Sequence, residues 1–337
     1  MGITRHALVV LAASAIPLTP VTAAAAGTTS PAKGPVAPFT APIKVTATIH
    51  VGKAPDGVAV NPWTNMIYVA NNVSGTVSVI NGKTKKVRAT TRVGHHPFAV
   101  AVNPRTNTVY VGNAKSNTVS VISGRTNKVR ATIRVGHGPA GVAVNPVTHT
   151  VYVTNANSHT VSVINARTNK VRATIPVLHY LAGVAADLTT NTIYVANSFK
   201  RTVTAISGKT RKIITDIFVG TGPEGITVNQ RTNTIYVAVI DTVSVINGQN
   251  NTVLATIPLS IEEAGGGIAV NQRTDTVYVT NFGLNTMLVI DGQTNAVVAT
   301  VPVGKFPEGV AANPKTDTVY VTNNGDNTVS VLTASQG

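Results

Sequence analysis

Three histidines stand at one recurring position: His95, His137 and His179, in "GHHP", "GHGP" and "LHYL". His96 follows the first of them. Neutral imidazoles are ligands for zinc or copper. Carboxylates recur in the same way. Asp56, Glu224 and Glu308 share one position in "PDG", "PEG" and "PEG", and Glu262 and Glu263 fall in an elongated version of that loop. Such groups could bind calcium or act as an acid–base pair in hydrolysis. A third set joins rings to cations: His96, Phe98, Tyr180 and Phe199, with Lys115, Lys200 and Arg201 close in sequence. Aromatics beside cations are the usual platform for single-stranded nucleic acid.

The elements that must position these residues are repeats. The pattern "ATI-x-VG" recurs with unit starts at Ala47, Ala89, Ala131, Ala173, Thr215, Ala255 and Ala299, spaced 42, 42, 42, 42, 40 and 44 residues apart. The short unit lost two residues in "YVAVIDTVSVI", and the long one gained two in "LSIEEAGGGIAV". Both changes fall in predicted loops, where length changes cost little. Each unit holds four strand-like runs. In the third they are "GVAVN", "VYVTN", "TVSVIN" and "KVRATIPV", separated by breaks rich in Asn, Pro, Thr and Gly. Several runs carry apolar residues on both faces, which suits a sheet sandwiched between two others. No segment has a helical period.

Four-stranded units of this length, repeated seven times, predict an all-β, seven-bladed β-propeller. The last unit stops after its third strand, "TVSVLTASQG". The spare strand, "KVTATIHVG" at Lys44–Gly52, precedes the first inner strand. It is expected to become the outer strand of the last blade and to close the ring. The propeller is expected over residues 44–333.

The chain resembles the YVTN-repeat β-propellers over about residues 45–333. The motif stands as "YVAN" (68–71), "YVGN" (110–113), "YVTN" (152–155), "YVAN" (194–197), "YVTN" (278–281) and "YVTN" (320–323). The fifth copy departs as "YVAV" (236–239), so its turn should differ. The resemblance implies the propeller fold. For function it implies little, because the fold hosts binding proteins and enzymes alike. The family includes archaeal surface-layer domains and exported bacterial proteins, some linked to single-stranded DNA.

With this strand order, the loop entering each inner strand and the loop after "YVTN" share one face, which rims the channel. The "NPxTN" and "NGxTN" turns share the other. The repeated Asn residues read as turn formers: Pro104 presets its turn, and Asn107 suits a left-handed conformation. Histidines at equivalent positions on neighbouring loops should stand roughly 8–12 Å apart, whereas ligands converge to about 2 Å from an ion. No metal site and no cofactor are therefore expected.

Composition narrows the classes further. The chain has 337 residues, 43% hydrophobic and 12% charged, enough for a large core and too apolar for disorder. It has no cysteine, which removes disulfides, thiolate zinc sites, cysteine nucleophiles and iron–sulfur clusters. No Ser-His-Asp pattern, P-loop or haem motif can be placed. Residues 1–26 read as a secretory signal peptide: Arg5 and His6, the apolar run "ALVVLAASAIPL", then "VTAAAAG". That run is short for a transmembrane span. Residues 27–43 read as a flexible linker. A soluble, monomeric protein, secreted, periplasmic or at the cell surface, is expected.

Charge is uneven. Lys44–Ile214 carries 21 Lys and Arg against 2 Asp and Glu, whereas Thr215–Gly337 carries 4 against 10. Such a field attracts polyanions with salt-sensitive affinity. The first expectation is a non-enzymatic binding module. It would engage a polyanion (single-stranded nucleic acid or an anionic cell-wall polymer) or a protein partner through the channel face of blades 1–4. One alternative is a lactonase-like or lyase-like hydrolytic propeller using the acidic and His loops. A structural surface-layer or adhesion module is the other.

Overall fold

The computed structural model describes residues 42–259 and 264–334. The expected signal peptide, nearly all of the expected linker, and Glu262 and Glu263 lie outside the described residues. Each repeat forms one antiparallel sheet, and there are seven. In blade 1, β2 (Pro55–Asn61), β3 (Met66–Asn71), β4 (Thr76–Asn81) and β5 (Lys86–Arg92) pair in that order. The first strands of neighbouring blades lie against each other and line the channel. None of the described helix-free chain could cross a membrane as a helix.

The residue types explain this layering. Val, Ile, Thr and Tyr suit the pleated backbone. Every residue of β3 is buried, and so is every residue of its counterparts that carry the intact motif. A strand buried on both faces needs a neighbouring sheet on each side. The core is accordingly built at the junctions: Ile67, Val69 and Ile80 of blade 1 pack with Tyr320, Val329 and Val331 of blade 7. Each fully buried Val or Ile contributes about 1.5–3 kcal/mol.

Ring closure follows the expected route. β1 (Ile43–His50) pairs antiparallel with β28 (Thr328–Ala334), completing a sheet with β27 (Thr318–Asn323) and β26 (Pro307–Asn313). Ile49 joins the junction core of blades 7 and 1, and Ile43 joins that of blades 6 and 7.

The departures from the repeat also have local causes. In blade 5, β18 (Ile226–Asn229) and β19 (Thr234–Ala238) are short. Val239 and Thr242 exchange backbone hydrogen bonds around Ile240 and Asp241, so the loop shrinks to a two-residue hairpin. This is where the fifth motif loses its Asn. Glycine has a positional reason at the top of the inner strands. A Cβ on Gly57 would meet the Phe98 carbonyl oxygen at 2.3 Å, and one on Gly309 would meet that of Asp56 at 2.4 Å. At these two positions adjacent inner strands approach too closely to admit that Cβ.

Candidate functional site

The motif itself is architectural. Its Tyr passes beneath the next blade: Tyr194 donates to Asn251 Oδ1 at 2.7 Å, and Tyr236 to the Gly292 carbonyl at 3.4 Å. Burial raises the pKa of all seven motif tyrosines, to about 12 for Tyr320, so none ionises at neutral pH. Its Thr, where present, reaches the next inner strand. Thr154 donates to the Ala182 carbonyl, Thr280 to that of Glu308 and Thr322 to that of Asp56, at 2.6–2.8 Å. Its Asn braces its own blade. Asn71 Nδ2 donates to Thr76 and Ser78, and its Oδ1 accepts from the Gly52 amide.

On the upper face, formed by the loops that enter the inner strands, the histidines follow the repeat. The His95 and His137 amides each donate to a serine in their own blade, Ser116 and Ser158, at 2.7 Å. The His179 carbonyl faces His159 Nδ1 at 2.9 Å. Among the described residues, no group of three or more His, Cys, Asp or Glu is arranged to hold a metal ion. His96 sits in a left-handed conformation with Nδ1 buried. Desolvation, then Lys115 and His95, lower its pKa, so it stays neutral at neutral pH.

The carboxylates stand where the chain enters the inner strands. Asp56 is buried and its Oδ1 accepts from Asn324 Nδ2 at 2.9 Å. Glu224 is exposed, Glu308 half-buried. Of the proposed platform, Tyr180 and Phe199 do meet, edge to face at 5.8 Å. Phe98 is exposed on blade 2. Lys200 is engaged in an ion pair with Asp216, whose pKa falls despite a desolvation that opposes it, because Lys200 and Thr204 hydrogen-bond the carboxylate. Arg201 takes a left-handed turn position. A second ring pair, Phe282 stacked on Phe306 at 4.9 Å, lies on blades 6 and 7 and escaped the sequence reading.

Most of the cations stand elsewhere. Lys83, Lys85, Arg125, Arg167, Lys209 and Arg211 lie in the turns of the lower face. Lys86 of β5, Lys128 of β9 (Lys128–Arg134) and Lys170 of β13 (Lys170–Pro176) are exposed where the outer strands leave those turns. Two neighbouring arginines brace the fold: Arg130 donates to Thr108 Oγ1 at 3.2 Å and Arg172 to Thr150 Oγ1 at 2.8 Å. The lower face also carries the chain's one tryptophan. Trp63 is 70% exposed, with Lys315 Nζ 4.1 Å from its ring centroid. The signal for it was legible: position x of "NPxTN" varies while its neighbours repeat.

These features define a seven-bladed, four-stranded β-propeller with a basic half. The chain belongs to the YNCE-like beta-propeller family, whose sequence model matches residues 10–317. Among solved structures, hydrazine synthase of Kuenenia stuttgartiensis superposes with a TM-score of 0.75 at 20% identity, over 84% of this chain and 97% of that one. At that identity the likeness concerns the fold alone. No curated protein matches the sequence.

Proposed function

We propose that this protein is an exported binding propeller that holds a polyanion on the basic half, blades 1–4. One observation carries the reading. Outer strands that share one backbone differ in charge by blade: "KVRATTR", "KVRATIR" and "KVRATIP" in blades 1–3, against "IITDIF", "TVLATIP" and "AVVATVP" in blades 4–6, blade 4 carrying its cations before the strand as Lys209, Arg211 and Lys212. A lysine on an outer edge also discourages edge-to-edge aggregation. That purpose would apply equally to blades 5 and 6, which lack it. The asymmetry therefore favours a ligand over a general solubility device. Cations so arranged bind phosphate or carboxylate polymers by releasing condensed counterions, and that makes affinity salt-dependent.

The test is a titration of the mature protein with a labelled single-stranded oligonucleotide and with an anionic wall polymer, read by fluorescence anisotropy at low and at physiological salt. A polymer contacting six or more cations should lose on the order of 10³ in affinity between roughly 50 and 200 mM salt. Affinity that did not move with salt would sink the reading.

A further inference from the structure

Every blade ends in an outer strand whose second edge has no partner in its own sheet. Such an edge offers a row of free backbone N–H and C=O groups to any strand that can approach. Five of the seven outer strands carry a charged residue: β1, β5, β9 and β13 carry lysine, and β17 (Ile213–Phe218) carries Asp216. The other two carry none. They are β21 (Thr252–Pro258), "TVLATIP", and β25 (Ala296–Pro302), "AVVATVP". The turn leading into β21, "NGQNN", is uncharged as well. Val253 is 40% exposed and Leu254 58%. Beyond them on either side, Ile213, Ile214 and Phe218 of β17 and Val297 and Val298 of β25 are exposed too. β21 is therefore the middle of an apolar rim over blades 4–6. A strand bulge is common to all seven outer strands and does not distinguish them. What distinguishes β21 is that its bulge presents a leucine and its edge carries no charge.

We infer that β21 is a dimer edge: two copies of this chain, in place of the expected monomer, pair there across a two-fold axis, with β21 antiparallel to its copy. A two-fold contact sets one surface against the same surface. At blade 1 that would bring Lys86, Arg88 and Arg92 against the same three cations, and blades 2 and 3 repeat the conflict. Like charges directly opposite across a strand pair destabilise it. At blade 5 the same contact joins Thr, Val and Leu side chains and opposes no charges. A charged strand from another protein would find no counter-charge on β21. An uncharged edge is met best by another uncharged edge, and the chain itself supplies one. Charge over the whole ring agrees. Pairing at blade 5 puts blades 1 and 2 of both copies at the far ends of the pair, whereas pairing through the basic blades would press the two positive fields together. The inference stands apart from the polyanion reading, because the pair leaves those basic blades free.

Sedimentation velocity of the mature protein over a range of concentrations should show monomer giving way to dimer and to nothing larger. A monomer at every concentration would overturn the inference, and growth beyond the dimer would overturn its two-fold closure. Thr252→Lys with Leu254→Arg turns the strand into "KVRATIP", the sequence that blade 3 already uses as β13, so the blade keeps its fold. This variant should stay monomeric where the wild type pairs. Ala296→Lys with Val298→Arg, the matching change on blade 6, should leave the dimer in place. Loss of the dimer in the blade 6 variant alone would overturn the choice of β21. A second readout needs neither variant. The chain has no cysteine, so Leu254→Cys introduces a single thiol beside the axis. Oxidation with diamide should link it into a covalent dimer, whereas Arg88→Cys, at the same strand position in blade 1, should link only at background rate. Equal linking by the two would overturn the site. Added salt should tighten the dimer, since it screens the repulsion between two basic molecules. A dimer that salt dissociates would contradict an uncharged contact.

Discussion

Side-chain latches join the blades on the lower face at six of the seven junctions. Asn61 donates to Asn107 Oδ1 in the next blade, and Asn145–Asn191, Asn229–Asp275, Asn271–Asp317 and Asn313–Asn65 repeat the bond at 2.6–3.1 Å. Asn233 can donate to Asp187 Oδ2 at 2.8 Å once its amide is oriented accordingly. The junction of blades 2 and 3 breaks the series: His149 stands where the others have Asn or Asp, and Asn103 Nδ2 is buried without a partner. His149→Asn suits the left-handed backbone and supplies the acceptor, so it should stabilise the protein by about 1 kcal/mol. A urea midpoint equal to wild type, or lower, would refute the latch. His96 sets a pH dependence. Its folded pKa lies below 6.5, so the unfolded chain binds its proton first as pH falls. Stability from this group is complete above about pH 6.5 and is lost as pH drops through the folded value. His96→Asn, which tolerates the same left-handed turn, should flatten the fall in melting temperature between about pH 7 and 5. An unchanged slope would contradict this.

At the scale of elements, β1 is the strand on which the ring depends. It starts at Ile43, one residue before the expected boundary, and its partner β28 lies almost 300 positions away in sequence. Removing 43–50 would expose the outer edge of β28 and withdraw Ile43 and Ile49 from two junction cores. The loss should reach about 4 kcal/mol or more from the two isoleucines alone. Truncation that stops before residue 42 should leave the melting temperature where it was. If both truncations melt alike, the closing strand is not what holds the ring. The outer strands teach a related point. Blades 1–3 place Arg88, Arg130 and Arg172 at the strand bulge, whereas blades 5 and 6 place Leu254 and Val298 there, both exposed. The bulge accepts either, and Arg130 and Arg172 use it to reach Thr108 and Thr150 of their own blades.

At the scale of the whole molecule, the basic half and the acidic half of one ring make a strongly polarised particle. Replacing Lys86, Lys128 and Lys170 together by Glu should lower the log–log salt slope of oligonucleotide binding by about 2. Melting should change little, because the three are exposed and leave the blade cores untouched. An unaltered slope would place the polyanion away from the outer strands.

The sequence by itself determined the number of blades, the strands in each, the closing strand and the structural role of the motif Asn. These follow from local periodicity, which every repeat restates and which neighbouring repeats must satisfy together. It also showed the charge asymmetry, since charge is a sum over residues. Only the tertiary structure decided how several individual candidates stand: Tyr180 edge to face with Phe199, Lys200 tied to Asp216, and Asp56 buried against Asn324. The same holds for Trp63 and Lys315, a side-chain contact across the junction of blades 1 and 7 that the repeat period does not specify.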